Sequence, residues 1–125
     1  MPAYLIVFVG AGLGGALRHG VNVAALRLLG SGLSYGTLIV NVVGSLVMGL
    51  LTGYFALKAD PGQSWRLFLT TGTLGGFTTF SAFSLETALL YERGEPGLAA
   101  LYVLASVGIS IVGLFAGLFI MRQVL

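Results

Sequence analysis

Along this chain the polar and apolar positions do not alternate; they separate into blocks. Four apolar runs, about 3–22, 35–57, 67–91 and 98–121, are divided by short polar stretches. Each run reaches the roughly 20 apolar residues that a helix needs to cross a bilayer. The pattern therefore predicts an all-α membrane protein, one transmembrane domain over 1–125 with four spanning helices. The third run differs from the others. It reads Thr70-Thr71-Gly72-Thr73-Leu74-Gly75-Gly76-Phe77-Thr78-Thr79 before an apolar stretch resumes. Glycine disfavours helix by about 1 kcal/mol per residue and threonine by less. The third helix is expected to break in mid-membrane, over 75–79. Backbone that leaves the helix at that depth must be buried in protein or line a cavity.

Charge sharpens this picture. Only 8% of residues are charged and 57% are apolar, against about 25% charged in soluble domains. Six Lys/Arg and four Asp/Glu stand singly, mostly at the ends of the runs, and net charge is +2. Nucleic-acid binding needs basic residues clustered on one face, so the composition argues against it. Cysteine is absent, which removes disulfides and thiolate metal sites. The first run lacks the basic start of a signal peptide. Four spans place Lys58, Arg66 and Arg122 on one side, and Arg18, Arg27 and Arg93 on the other. Orientation follows an excess of Lys/Arg in cytoplasmic loops, and here neither side has one. The balance fits either small-number noise or dual topology, in which the chain inserts both ways and antiparallel copies pair.

Small residues four apart mark helix contacts: Gly10 with Gly14, Ala11 with Gly15, Ser45 with Gly49 and Gly53, Gly113 with Gly117. Such spacing lets helix backbones approach where lipid supplies no hydrophobic drive. It serves packing within the chain and favours a homodimer. Gly10, Gly12 and Gly15 imitate a dinucleotide fingerprint, but no acid follows until Asp60 and no strand precedes them. His19 has no neighbouring ligand residue and reads as an interfacial polar group.

Three polar lines remain. Thr37, Asn41 and Ser45 repeat every four residues in the second run, on one slowly drifting helix face. Tyr102, Ser106 and Ser110 do so in the fourth. Each line is either glue between helices or a polar track for an ion, with the Asn41 amide able to donate to an anion. In the third run Phe80 and Phe83 lie three apart, as do Ser81 and Ser84 on a neighbouring face. The rings pack, or they turn their positive edges toward an anion path. Glu86 is the acid well inside a span, a functional candidate by default: a proton carrier, or an acceptor at a vestibule. Arg18, at the close of the first run, is a snorkelling anchor or a vestibule charge.

These residues together resemble the Fluc (CrcB) family of bacterial fluoride channels. The resemblance rests on Gly14-Gly15-Ala16-Leu17-Arg18, on Gly36-Thr37-Leu38-Ile39-Val40-Asn41 with Gly44-Ser45, and on Gly75-Gly76-Phe77-Thr78-Thr79-Phe80-Ser81-Ala82-Phe83-Ser84. Ala82 and Tyr35 depart from it, standing where Thr and Pro are common in the family. The resemblance implies an antiparallel, dual-topology homodimer in the bacterial inner membrane, holding two fluoride pathways. Phe80 and Phe83 would line them, with Asn41, Ser106 and Ser110 nearby. It implies a structural sodium ion on main-chain carbonyls of Gly75 and Thr78 from both copies. The implied activity is passive fluoride export that protects the cell, without enzymatic chemistry. The competing readings are a proton-coupled exporter using Glu86 and a membrane-assembly subunit that transports nothing.

Overall fold

The computed structural model describes residues 2–58 and 60–125, all of whose regular structure is helical. Helix α1 spans Ala3–Leu29. It runs well beyond the apolar boundary expected near 22, because residues 23–29 are mostly good helix formers and nothing ends the helix before Gly30. Gly30 stops it at φ 84°, its N–H bonded to the Leu26 carbonyl at 3.1 Å. That left-handed geometry suits a residue without Cβ. Helix α2 spans Tyr35–Leu57. Helix α6 spans Pro96–Val124 and also outruns its apolar stretch, with Pro96 in the first turn, where a missing N–H costs nothing. These three helices are long and apolar enough to cross a membrane.

The stretch between α2 and α6 is assembled from pieces. A single turn, α3 (Gln63–Arg66), leads into a π-helical stretch, Leu67–Leu74, and then α4 (Gly75–Phe77). Helix α5 follows over Phe80–Glu92. Non-helical backbone was expected over 75–79; only Thr78 (φ −89°, ψ 161°) and Thr79 (φ −151°, ψ 118°) are extended. Gly75 and Gly76 stay helical because α4 lies directly against α1, and that contact outweighs about 1 kcal/mol of unfavourable propensity per glycine. Thr79 then starts α5, its Oγ1 accepting the Ala82 N–H at 3.1 Å.

Two close helix contacts organise the chain. Along α1, Gly10 and Gly14 face the backbone of Phe68, Gly72 and Thr73, and Ala11 faces Gly76. Between α2 and α6, Gly49 and Gly53 face Leu114, Gly117 and Met121. Much of the small-residue spacing thus serves contacts within one copy. A Cβ at Gly12 or Gly15 would meet nothing within 4 Å beyond its own helix among the described residues. A third cluster joins α5 to α6 through buried Phe83, Leu90, Ala99 and Tyr102. Outside these contacts large apolar side chains lie open, among them Phe8, Leu104, Val112 and Phe115. A soluble monomer rarely exposes so continuous an apolar surface; lipid is its natural solvent.

Candidate functional site

The α2–α6 pair and the α4–α5 junction enclose a groove of about 250 Å³. Asn41 and Ser45 come from α2, Thr78 and Thr79 from the extended link, Phe80 and Phe83 from α5, and Ser106, Val107 and Ser110 from α6. The groove thus unites much of two polar lines with the third-run aromatics. Ser106 and Ser110 carry hydroxyl oxygens that are buried and without a hydrogen-bond partner among the described residues. An unsatisfied buried polar group costs about 1–3 kcal/mol. Two such groups on one groove wall call for water or an ion.

Asn41 holds the link in place. Its Nδ2 donates to the Thr79 carbonyl at 3.0 Å, and its Oδ1 accepts the Thr79 N–H at 2.8 Å. The side-chain amide therefore pairs with Thr79 as a neighbouring peptide would. One of its two Nδ2 hydrogens is spent in this way, leaving the other for the groove. Sequence reasoning assigned Asn41 the donor role and missed the clamp, since its partner lies 38 positions away.

The two phenylalanines occupy different surroundings. Phe83 is 8% exposed and Phe80 is 76% exposed. Their ring centroids lie 5.5 Å apart at 57°. Phe83 also stacks on Tyr102 at 5.6 Å and 32°. The aromatic row leads from the groove to a second polar cluster.

That cluster regroups residues the sequence had put elsewhere. Thr37 Oγ1 donates to Glu86 Oε1 at 3.0 Å, and the Tyr102 hydroxyl donates to Glu86 Oε2 at 2.8 Å. Thr37 and Tyr102 thus do not line the groove with Asn41, Ser106 and Ser110; they hold a carboxylate. Residues four apart turn by about 400°, so each step drifts some 40° around the helix. Over two steps Tyr102 and Ser110 come to face different partners. Glu86 is the acceptor of this cluster.

Ser81 and Ser84 stand apart from the groove. Ser84 Oγ donates to the Phe80 carbonyl at 3.0 Å, closing on its own helix. Ser81 Oγ lies 3.3 Å from Thr79 Oγ1, and both serines are exposed. Arg18 does not sit at a helix end, because α1 continues past it; its Nε donates to the Gly76 carbonyl at 3.1 Å. It ties α1 to α4. His19 is exposed, and among the described residues no three His, Cys, Asp or Glu gather to hold a metal. Ser45 lines the groove; its place four residues after Asn41 was the signal for it.

The carbonyls of Gly75 and Thr78 suit a hard cation in one respect. The N–H that would close the helical turn on Gly75 is that of Thr79, and Asn41 has taken it. The N–H of Ala82, four residues beyond Thr78, is taken by the Thr79 hydroxyl. Both carbonyls are left out of the helical ladder, and neutral carbonyl oxygens are suitable donors for hard cations.

Comparison with known proteins places these features in a family. A family model described as CrcB-like protein, Camphor Resistance (CrcB), matches residues 5–118. A protein of Methylobacterium nodulans named fluoride-specific ion channel FluC is 66% identical over 119 residues, 95% of each chain. One from Rhodopseudomonas palustris (strain BisB5), with the same name, is 60% identical over 121 residues, 97% of this chain and 98% of its own. Fluoride-specific ion channel FluC 2 of Nitrobacter hamburgensis is 59% identical over 120 residues, 96% of this chain and 97% of its own. With its three long apolar helices this chain is a multi-pass membrane protein, and it belongs to the CrcB-like protein family.

Proposed function

We propose that the chain is a fluoride-selective passive channel that lets fluoride leave the cell. The observation that carries this reading is the pair of buried hydroxyls, Ser106 and Ser110, without a hydrogen-bond partner among the described residues and lining one groove with Asn41 and Phe83. Its relatives bear the name fluoride-specific ion channel. The groove offers hydroxyl and amide donors and two aromatic rings, whose edges are positive, and among the described residues no lysine or arginine, so it can replace part of a small anion's hydration shell without trapping the ion. An inside-negative potential moves one charge by about 2.3 kcal/mol per 100 mV, enough to drive export with no coupled reaction.

In this reading residues 63–92 form the third crossing, with Thr78 and Thr79 in mid-membrane. The helical pieces on either side are roughly 22 and 20 Å long at helical rise. Two copies pair antiparallel, inserted in opposite senses in the bacterial inner membrane. What favours a second copy is the open side of the groove, where Phe80 is packed against Phe83 and otherwise left largely exposed. The Gly75 and Thr78 carbonyls of both copies hold a structural sodium ion. Bound there, a cation would offset the partial negative charge of these carbonyls and would not itself travel.

The test is fluoride efflux from proteoliposomes loaded with fluoride, with valinomycin clamping the potential. Efflux without a pH gradient and with chloride retained is expected. Efflux that requires a proton gradient and vanishes in Glu86→Gln would replace the channel with a proton-coupled exporter. Reporters fused to the C-terminus should give signal from both membrane faces; signal from one face alone overturns dual insertion.

A further inference from the structure

The groove accounts for the middle of a path and not for its ends. Glu86 borders two further recesses. The larger, about 290 Å³, lies between the end of α1 and the start of α2, at Asn22, Ala25 and Tyr35. The smaller, about 30 Å³, lies between the 30–34 loop and the end of α5, walled by Ser31, Ser34, Arg93 and Tyr102. Its volume suits about one water or an ion of that size. Ser31, Leu33 and Ser34 line both recesses, so the loop is the partition between them.

Arg93 is the one basic residue lining any of these three spaces. Its backbone is fixed as the cap of α5, the N–H bonded to the Leu89 carbonyl at 3.0 Å. Among the described residues its guanidinium makes no ion pair. Behind it Tyr102 touches both systems: its hydroxyl holds Glu86, and its ring stacks on Phe83, which lines the groove. Arg93 and Tyr102 thus wall one recess, Tyr102 stacks on Phe83, and Phe83 lines the groove with Ser106 and Ser110. The carboxylate beside these residues repels anions, and a fixed cation in the same recess offsets that repulsion.

We propose that the Arg93 recess is an anion-collecting mouth, in which Arg93 raises the local fluoride concentration before the ion passes Tyr102. The proposal rests on the channel reading. The neighbouring Glu92 faces a different surface, a shallow trough with Ser84, Thr87 and Pro96. Position in the recess, and not general surface charge, is thus what matters.

The cysteine-free chain allows a direct test. Arg93→Cys is purified and reconstituted, and fluoride efflux is measured unmodified, after a cationic methanethiosulfonate, and after an anionic one of similar size. A unit charge about 3–5 Å from the ion, the scale of so small a recess, changes its local concentration roughly two- to fivefold in water at about 0.1 M salt. Efflux should fall about that much in Arg93→Cys, recover with the cationic adduct, and fall further with the anionic one. At 1 M salt, where the screening length shrinks to about 3 Å, the differences should largely close. Glu92→Gln should leave efflux unchanged. Equal effects of both adducts, or wild-type efflux in unmodified Arg93→Cys, overturn the mouth while the wild-type channel stands. An inactive wild type instead removes the channel reading, and the mouth with it.

Discussion

Asn41→Ala removes two hydrogen bonds at once and leaves both polar groups of one peptide residue without partners. The Thr79 N–H and carbonyl meet Asn41 at 2.8 and 3.0 Å. Leaving a buried group unsatisfied costs about 1–3 kcal/mol, so full exclusion of water would cost about 2–6 kcal/mol for the pair. Two effects reduce this. Alanine is the better helix former by up to about 0.7 kcal/mol. The groove is also open enough to hold water, which would hydrate the freed groups in part. A net loss of about 1.5–4 kcal/mol is expected, roughly ten- to several-hundredfold in the unfolding equilibrium. The assay is denaturant titration in detergent micelles, followed by tryptophan emission of the single Trp65. Ser45→Ala is the control, since Ser45 lines the same groove and its side chain bonds to none of the described residues; it should change stability by less than about 0.5 kcal/mol. If Asn41→Ala is no more destabilising than Ser45→Ala, the clamp is not what holds the link.

Gly14→Ala would drive its Cβ into the Thr73 carbonyl oxygen, a backbone atom that cannot swing aside, whereas Gly12 faces open space. Thermal unfolding in detergent should show Gly14→Ala markedly destabilised, by about 1–3 kcal/mol or more, and Gly12→Ala near wild type. Thr37→Val and Tyr102→Phe each remove one donor to Glu86, worth about 1.5–3 kcal/mol for a bond to a charged group. A double-mutant cycle on stability should show coupling between them, because both grip one carboxylate. Phe80→Ile should lower fluoride efflux at least tenfold with the elution volume in detergent unchanged. Phe83→Ala should lower efflux and also cost about 3–5 kcal/mol of stability, since only Phe83 is buried within its own chain.

The apolar runs of the sequence located the long helices because burial in lipid is a local, compositional demand. Their ends were less legible. Helix α1 stops where Gly30 stops it, whatever the polarity of Arg27 and its neighbours. The glycines of the third run predicted looser backbone, and the actual extended pair is set by Asn41 and by the Thr79 cap. Of the residues assigned to a path, Asn41, Phe80, Phe83, Ser106 and Ser110 come together. Thr37 and Tyr102 gather instead around Glu86. Ser84 turns back on its own helix and Arg18 reaches Gly76. The missed features share one property. Each joins residues far apart in the chain, and spacing along one helix carries no information about the helix opposite.

At Thr78 and Thr79 the chain also changes neighbours. Before them, the π-helical stretch and α4 lie against α1, backbone to backbone; after them, α5 belongs with α6. Neither short piece could be inserted into a bilayer alone, since each is below the roughly 20 residues a crossing needs. In the proposed third crossing each would enter as the companion of a long helix. The stretch between α2 and α6 is thus divided between two partners, α1 before the seam and α6 after it, with a single amide from α2 as the rivet, and strain applied to one side would open the seam before it distorted the other.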